Sequence, residues 1–150
     1  MRIWVDADAC PRAIKDILFR AAKRVEVVVT LLANSPLSVP SSPFIDFIAV
    51  PDGFDEADNQ IVQRVEQGDL VITADIPLAA EVVNKGGYAL NPRGEFYSEE
   101  NIHACLSVRN LMHELRDSGV VTGGPPSFKT KNLQAFANQL DRFLTKNVQA

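Results

Sequence analysis

The chain has 150 residues, of which 46% are hydrophobic and 23% charged, and its formal net charge is −4. This composition supplies a sizeable core and excludes a disordered protein. The acidic excess argues against a protein that coats nucleic acid through bulk charge, although it is compatible with a local basic rim. The length favours a single domain over residues 1–150.

We expect a cytoplasmic protein without a membrane partner. Charged residues at positions 2, 6, 8 and 12 interrupt any apolar core of a signal peptide. The sequence contains no apolar stretch long enough to cross a bilayer. Its two cysteines, Cys10 and Cys105, do not suggest a disulfide framework, which suits a reducing compartment.

Apolar runs alternate with segments of helical periodicity along the whole chain. Residues 2–5 form a first predicted strand, and helical spacing predicts a helix over 11–24, with Pro11 in its first turn. Further strands are expected at 25–33, 44–50, 69–75 and 88–91. Further helices are expected at 55–68, 76–86, 98–118 and about 132–146. The alternation predicts an α/β three-layer fold with a mostly parallel central sheet of about five strands.

The C-terminal third is expected to consist of two amphipathic helices joined by a Gly/Pro loop over 119–131, which ends in basic residues. The helix over 98–118 starts at Ser98, and its predicted inner stripe consists of Ile102, Cys105, Leu106, Met112 and Leu115. The last helix is expected to bury Leu133, Phe136, Leu140 and Phe143.

Acidic residues follow two of the predicted strands. Asp6 and Asp8 come after the first strand, and Asp75 ends the fourth. In parallel α/β sheets ligands bind outside the carboxyl ends of the strands. Asp58, with Asn59 beside it, lies in the first turn of the helix over 55–68 and can join the other acids. If the two strands are central neighbours, these carboxylates converge at one edge of the sheet.

Crowded carboxylates repel each other, and a divalent cation relieves the repulsion. Carboxylate and amide oxygens suit Mg²⁺ or Mn²⁺, which bind phosphate oxygens and activate water for hydrolysis. We therefore expect a phosphoester site whose metal ligands are Asp6, Asp8, Asp58 and Asp75.

Helix capping is the competing explanation for some of these acids, because aspartate is a common N-cap. Asp8 could cap the helix over 11–24, and Asp75 could cap the helix that begins at 76. Asp6 follows its strand directly and stands too early to cap. Cys10 stands at a helix start, but the acids before it raise a thiol pKa. A small residue that fills the strand–helix corner is therefore favoured over a nucleophile.

Basic and amide side chains stand where a polyanion would approach the acids. Lys15 and Arg12 open the first helix, and glycines in the loop over 119–131 allow close backbone approach. The side chains that we expect to contact a substrate are Arg12, Asn59, Asn91, Arg93, Lys129 and Lys131.

Five segments, "WVDADACPR", "ADNQI", "DLVITADIPLA", "NPRGEFY" and "GGPPSFKTKN", together resemble the YaiI/YqxD family of bacterial proteins. That family is usually grouped with PIN-like domains, which are metal-dependent ribonucleases with a parallel α/β sheet. The resemblance implies catalytic roles for Asp6, Asp58 and Asp75, with Asp8 as an extra acid. It also implies RNA as substrate and Mg²⁺ or Mn²⁺ as cofactor. A fourth acid often follows in PIN nucleases, and here Asn91 stands at the end of the fifth predicted strand.

Two other functions fit parts of the pattern. A haloacid-dehalogenase-type phosphatase would use Asp6 as nucleophile and Asp8 as general acid, with Thr73 as its second motif. That assignment leaves Asp58 without a role, and the chain lacks the acidic pair that such a fold needs after a later strand. A non-catalytic module that binds RNA or a protein partner is the other alternative. A homodimer is compatible with the sequence.

Overall fold

Six strands form one sheet in the computed structural model, which describes residues 1–35, 38–51, 56–119 and 129–147. The strand order is β3-β2-β1-β4-β5-β6. Neighbours among the first five strands pair in parallel, and β6 pairs antiparallel with β5. The strands are β1 (Ile3–Asp6), β2 (Val29–Ala33), β3 (Ile45–Ala49), β4 (Leu70–Ile72), β5 (Tyr88–Leu90) and β6 (Phe96–Tyr97). The predicted α/β class and mostly parallel sheet are confirmed, and β6 is an addition.

Helices cover both faces of the sheet and give the fold its three layers. Alternate residues of β1 point to opposite faces, so Val5 contacts one core and Trp4 the other. The Val5 core includes Leu18 of α1 and Phe136 of α5, and the Trp4 core includes side chains of α2 and α3. Within the described ranges the α-helices are α1 (Arg12–Val25), α2 (Glu56–Arg64), α3 (Ile76–Asn84), α4 (Ile102–Asp117) and α5 (Thr130–Asn147).

The predicted strand over 25–33 was too long at its start, because α1 continues through Val25. Glu26 adopts a left-handed conformation with φ of 57°, and the Val27 N–H donates to the Ala22 carbonyl at 3.2 Å. This helix-ending geometry overrides the β-branched run that predicted extended backbone. The strand proper begins at Val29.

Two further predicted elements are shorter than expected. The strand over 69–75 is confined to β4, so residues 73–75 form a connection to α3. The helix over 55–68 ends at Arg64, and Gly68 makes a turn with φ of 88° before β4. Its predicted first residue, Asp55, lies outside the described residues.

The predicted inner stripe of α4 is largely confirmed, because four of its five members are buried or half-buried and Leu106 packs against the same core as Ile102. The helix begins at Ile102 and not at Ser98, and the exception within the stripe is Met112, which is 41% exposed. Val108 and Leu111 are more exposed still, at 57% and 53%. A helical period shows that a helix has an apolar side, but it does not say what covers that side.

A hairpin between β5 and β6 closes the edge of the sheet beside α5. The Asn91 amide oxygen accepts hydrogen bonds from the backbone N–H groups of Arg93 at 2.9 Å and Glu95 at 3.1 Å. Gly94 has a φ of 91°, and a Cβ atom there would lie 2.6 Å from the Ala135 carbonyl carbon. The hairpin therefore sits directly on the backbone of α5, where only glycine fits.

Candidate active site

The strand order reverses between β1 and β4, at the centre of the sheet. From β1 the chain builds outward to β3, and from β4 it builds the other way to β6. Ligands of open α/β sheets bind at this point, outside the carboxyl ends of the strands. Asp6 is the last residue of β1, and the pairing of Val5 with Ile72 places it beside Thr73.

Thr73 connects the two acids that follow the central strands. Its hydroxyl donates to the Oδ2 atom of Asp6 at 3.2 Å and accepts from the backbone N–H of Asp75 at 3.0 Å. Thr73 is 1% exposed and Asp6 is 8% exposed, so this contact is shielded from water. Asp6 and Asp75 therefore lie at the same edge of the sheet, and one hydroxyl group joins the Asp6 carboxylate to the Asp75 backbone.

Asp75 also has the capping role that the sequence left open. It is the N-cap of α3, and its Oδ1 atom accepts from the Leu78 N–H at 2.9 Å. Capping uses one carboxylate oxygen and orients the other atoms of the group. A structural role and a ligand-binding role are therefore compatible at this residue.

The electrostatics of Asp6 are those of an acid that a cation would stabilise. Burial raises the pKa of Asp6, and the hydrogen bond from Thr73 opposes this effect. The negative charges of Asp75 and Asp8 raise that pKa further. A positive charge placed among these carboxylates would offset both the burial and the repulsion.

Asp8 is not the cap of α1, because Pro11 occupies that position. It lies in a 3-10 turn over Ala7–Ala9, where its Oδ2 atom accepts from the Asn34 N–H at 2.9 Å. A cavity of about 160 Å³ lies beside it, and Glu56 and Asp58 form the other wall. The structure thus places Asp58 and Asp8 on opposite walls of one cavity, whose described lining includes neither Asp6 nor Asp75.

Tyr97 is a site residue that the sequence did not single out. Asn91 donates from Nδ2 to its hydroxyl oxygen at 3.4 Å. Burial raises the pKa of Tyr97, the Asn91 hydrogen bond opposes this, and the charge of Asp75 is among the groups that raise it further. Tyr97 reaches the site because β6 folds back along β5, and its place in "NPRGEFY" was the sequence signal.

Comparison with known proteins shows which family the chain belongs to. The model of the family described as "Uncharacterized BCR, YaiI/YqxD family" matches residues 4–146. The chain belongs to this family. It is 60% identical over 148 residues to a UPF0178 protein of Maridesulfovibrio salexigens, covering 99% of this chain and 98% of the relative. A UPF0178 protein of Janthinobacterium sp. (strain Marseille) is 62% identical over 146 residues, or 97% of each chain. No solved structure matches the chain significantly.

The donor atoms in this YaiI/YqxD protein suit a hard cation. Among the described residues, no three Asp, Glu, His or Cys side chains form a group that could hold a metal ion. Asp52 and Asp55 lie outside those residues. Mg²⁺ is usually bound by one or two carboxylates together with waters and substrate phosphates. The Asp6–Asp75 pair fits that pattern, and a site that also includes Asp8 and Asp58 stays a prediction.

The predicted substrate contacts lie on different elements of the fold. Arg12 is exposed at the start of α1, and Asn59 is exposed on α2. Arg93 is half-buried in the hairpin, where the Asn91 amide oxygen orders the backbone. Asn91 therefore has a structural role, whatever else it contacts.

Lys129 and Lys131 belong to the start of α5. The predicted loop over 119–131 was too long, since α5 begins at Thr130 and Lys131 lies in its first turn. Lys131 is one helical turn before Ala135, which Gly94 contacts beside the carboxyl edge of the sheet. The glycines at 123 and 124, which we expected to allow close backbone approach, lie outside the described residues.

Cys10 has the properties of a structural residue. Burial raises the pKa of its thiol to about 12, although the nearby Lys15 opposes the effect. A thiol with this pKa is protonated at neutral pH and is a poor nucleophile.

Within the described residues, none of the helices has the length and apolar character needed to cross a membrane.

Proposed function

We propose that this protein is a metal-dependent hydrolase of phosphodiester bonds in RNA. The main support for this proposal is the Thr73 hydroxyl, which joins the Asp6 carboxylate to the Asp75 backbone. These residues lie at the point where the strand order reverses. Such a position is where α/β sheets bind ligands, and the paired carboxylates suit Mg²⁺ or Mn²⁺. The resemblance to PIN-like nucleases supports the same chemistry.

Each residue of the site has a role in this proposal. Asp6 and Asp75 bind the ion, and Thr73 positions the Asp6 carboxylate and the Asp75 backbone through its two hydrogen bonds. Asp8 and Asp58 face each other across the neighbouring cavity and orient water there. A bound Mg²⁺ or Mn²⁺ would activate a water and stabilise charge on the leaving oxygen.

The phosphate backbone needs positive charge, which the chain supplies locally despite its net charge of −4. We assign backbone binding to Arg12, Arg93, Lys129 and Lys131.

Two free cysteines suit a reducing compartment, so we also propose a cytoplasmic location.

Cleavage of labelled single-stranded and structured RNA in Mn²⁺ tests the proposal. Asp75→Asn is the informative variant, because asparagine caps a helix about as well as aspartate while it removes the charge. We expect it to lower the cleavage rate at least about 100-fold. Asp46→Asn, an exposed change on β3, is the matched control and should cleave like wild type.

Equal cleavage by wild type and Asp75→Asn would identify a contaminating nuclease and contradict the proposal. If Mn²⁺ binds and no RNA is cut, the protein is a non-catalytic binding module instead.

One contact favours the phosphatase as a second candidate. The hydrogen bond between Thr73 and Asp6 places the residue proposed as its second motif beside the acid proposed as its nucleophile. That enzyme would form an acyl phosphate on Asp6: the carboxylate oxygen bonds to phosphorus, and the alcohol of the phosphomonoester leaves. Trapping a phosphorylated Asp6 after incubation with a phosphomonoester would establish it, and an unmodified peptide would exclude it.

A further inference from the structure

A second cavity lies between α1 and the segment after β2, on the α1 face of the sheet. Its volume is about 470 Å³, and its lining includes Arg12, Lys15, Asp16 and Phe19 on one side and Val39 and Pro40 on the other. Cavities of this volume are of the size that binds small molecules or single nucleotides. Apart from Arg12, the residues that line this cavity have no role in the proposed hydrolysis.

The lining of the cavity has a charged part and an apolar part. Arg12 and Lys15 contribute two positive charges, and Asp16 contributes one negative charge, so the net charge is +1. That charge matches a single phosphodiester group better than a triphosphate. Phe19, Val39 and Pro40 form a half-buried apolar wall on which a flat ring can lie.

The cavity and the acids are connected by the segment that follows β1. Leu31 lines it from β2 and is followed by Leu32, the register partner of Asp6 on the neighbouring strand. Adjacent strands are about 4.8 Å apart. Arg12, which lines the cavity, is the first residue of α1 and follows shortly after Asp8 in the chain. A strand of nucleic acid that follows this segment from the acids would bring its next nucleotide to Arg12 and to this cavity.

We propose that this cavity binds one unpaired nucleotide of single-stranded RNA, with its base on Phe19 and its phosphodiester group on Arg12 and Lys15. The identity of the strand rests on the proposed function. The cavity adds that the substrate is single-stranded next to the cleaved bond, because a paired base cannot stack on a protein side chain.

Binding without metal tests the cavity apart from catalysis. The full-length protein is titrated in EDTA against fluorescein-labelled hexauridylate and against the same oligomer with abasic riboses, and anisotropy is recorded. Phe19→Leu keeps an apolar side chain in the core but removes the ring. We expect it to weaken hexauridylate binding about tenfold and leave the abasic oligomer unaffected.

Three further variants distinguish the charged part and the apolar part of the cavity from general effects on binding. Arg12→Ala should weaken binding of both oligomers, since the phosphodiester is common to them. Arg20→Ala, an exposed change on the same helix outside the cavity lining, should weaken neither. Phe19→Tyr keeps the ring and should bind hexauridylate like wild type.

The inference is overturned if wild type does not bind hexauridylate, or if Phe19→Leu binds it equally well. It is also overturned if Phe19→Leu weakens both oligomers to the same extent. Ring-dependent binding without cleavage in Mn²⁺ would support the cavity and contradict the hydrolase. If Phe19→Leu cleaves RNA and binds hexauridylate as well as wild type does, the hydrolase is supported and the cavity proposal is contradicted.

Discussion

At the scale of single residues, Asp6 links stability to pH in a way that asparagine would abolish. Its pKa is raised above the ordinary value of 3.8, first by burial and then by Asp75 and Asp8. As pH rises above 3.8, the unfolded chain ionises first, so the folded state loses stability until the folded pKa is passed. Asp6→Asn should therefore raise the melting temperature at neutral pH, with no gain below pH 3.8.

Thermal melts in EDTA over a pH series measure this difference. Asp46→Asn, on the exposed side of β3, should show no comparable gain. A gain for Asp6→Asn that is constant across pH would mean that packing, and not charge, explains it.

Mn²⁺ tests the same residue as a ligand. A ligand that binds only the folded state raises its stability in proportion to the logarithm of its concentration over Kd. We expect wild type to gain more from Mn²⁺ than Asp6→Asn does in the same melts. Equal gains for the two proteins would exclude Asp6 as a metal ligand.

Asp69 is a buried acid whose role is structural. It is 7% exposed and lies at the opposite end of β4 from Asp75. Its carboxylate accepts three hydrogen bonds at 3.0 Å, from the Trp4 indole and from the backbone N–H groups of Arg2 and Glu66. Asp69→Ala should cost about 2–4 kcal/mol in urea unfolding, because three donors lose their acceptor. Adding Mn²⁺ should stabilise Asp69→Ala as much as it stabilises wild type, and a smaller stabilisation would contradict the structural assignment.

At the scale of elements, the β5–β6 hairpin brings Asn91 and Tyr97 to the site, and Gly94 lets it pack on α5. Gly94 and Gly68 have nearly the same φ, 91° and 88°, but a Cβ at Gly68 would meet nothing within 4 Å. Gly68→Ala should therefore cost about 1 kcal/mol, the strain of a left-handed alanine. Gly94→Ala should cost about 3 kcal/mol or more, since it adds a clash with helix backbone.

Chemical denaturation of both variants gives the comparison. Similar losses for Gly94→Ala and Gly68→Ala would mean that the hairpin is not packed on α5 as described. A larger loss at Gly94 would support the hairpin as the element that positions Tyr97.

At the scale of the whole molecule, an acidic protein is proposed to bind an acidic polymer through a local rim. The logarithm of affinity for a single strand falls with the logarithm of salt concentration, with a slope of about −0.7 per phosphate contacted. Lys131→Ala should make the slope shallower by about 0.7. Lys146→Ala, roughly 22 Å away along the same helix, should leave it unchanged. Identical slopes for all three proteins would remove Lys131 from the rim.

The amino-acid sequence alone was sufficient to predict which segments form strands and which form helices, and where the acids stand along the chain. Alternating apolar runs and helical periods are local consequences of burial on one or two faces, so they are visible without a structure. Pro77 at the start of α3 and the acids after β1 and β4 could be assigned for the same reason. Element ends were less certain, as at Val25, because capping geometry there competes with strand propensity.

Only the tertiary structure decided which of these residues meet. The adjacency of β1 and β4 depends on how the helices fill both faces of the sheet, and no local pattern encodes it. The Thr73 bridge, the cavity that brings Asp58 to Asp8, and the arrival of Tyr97 all follow from that adjacency and from the hairpin. Contacts between residues distant in sequence are set by packing, and packing is a property of the whole fold.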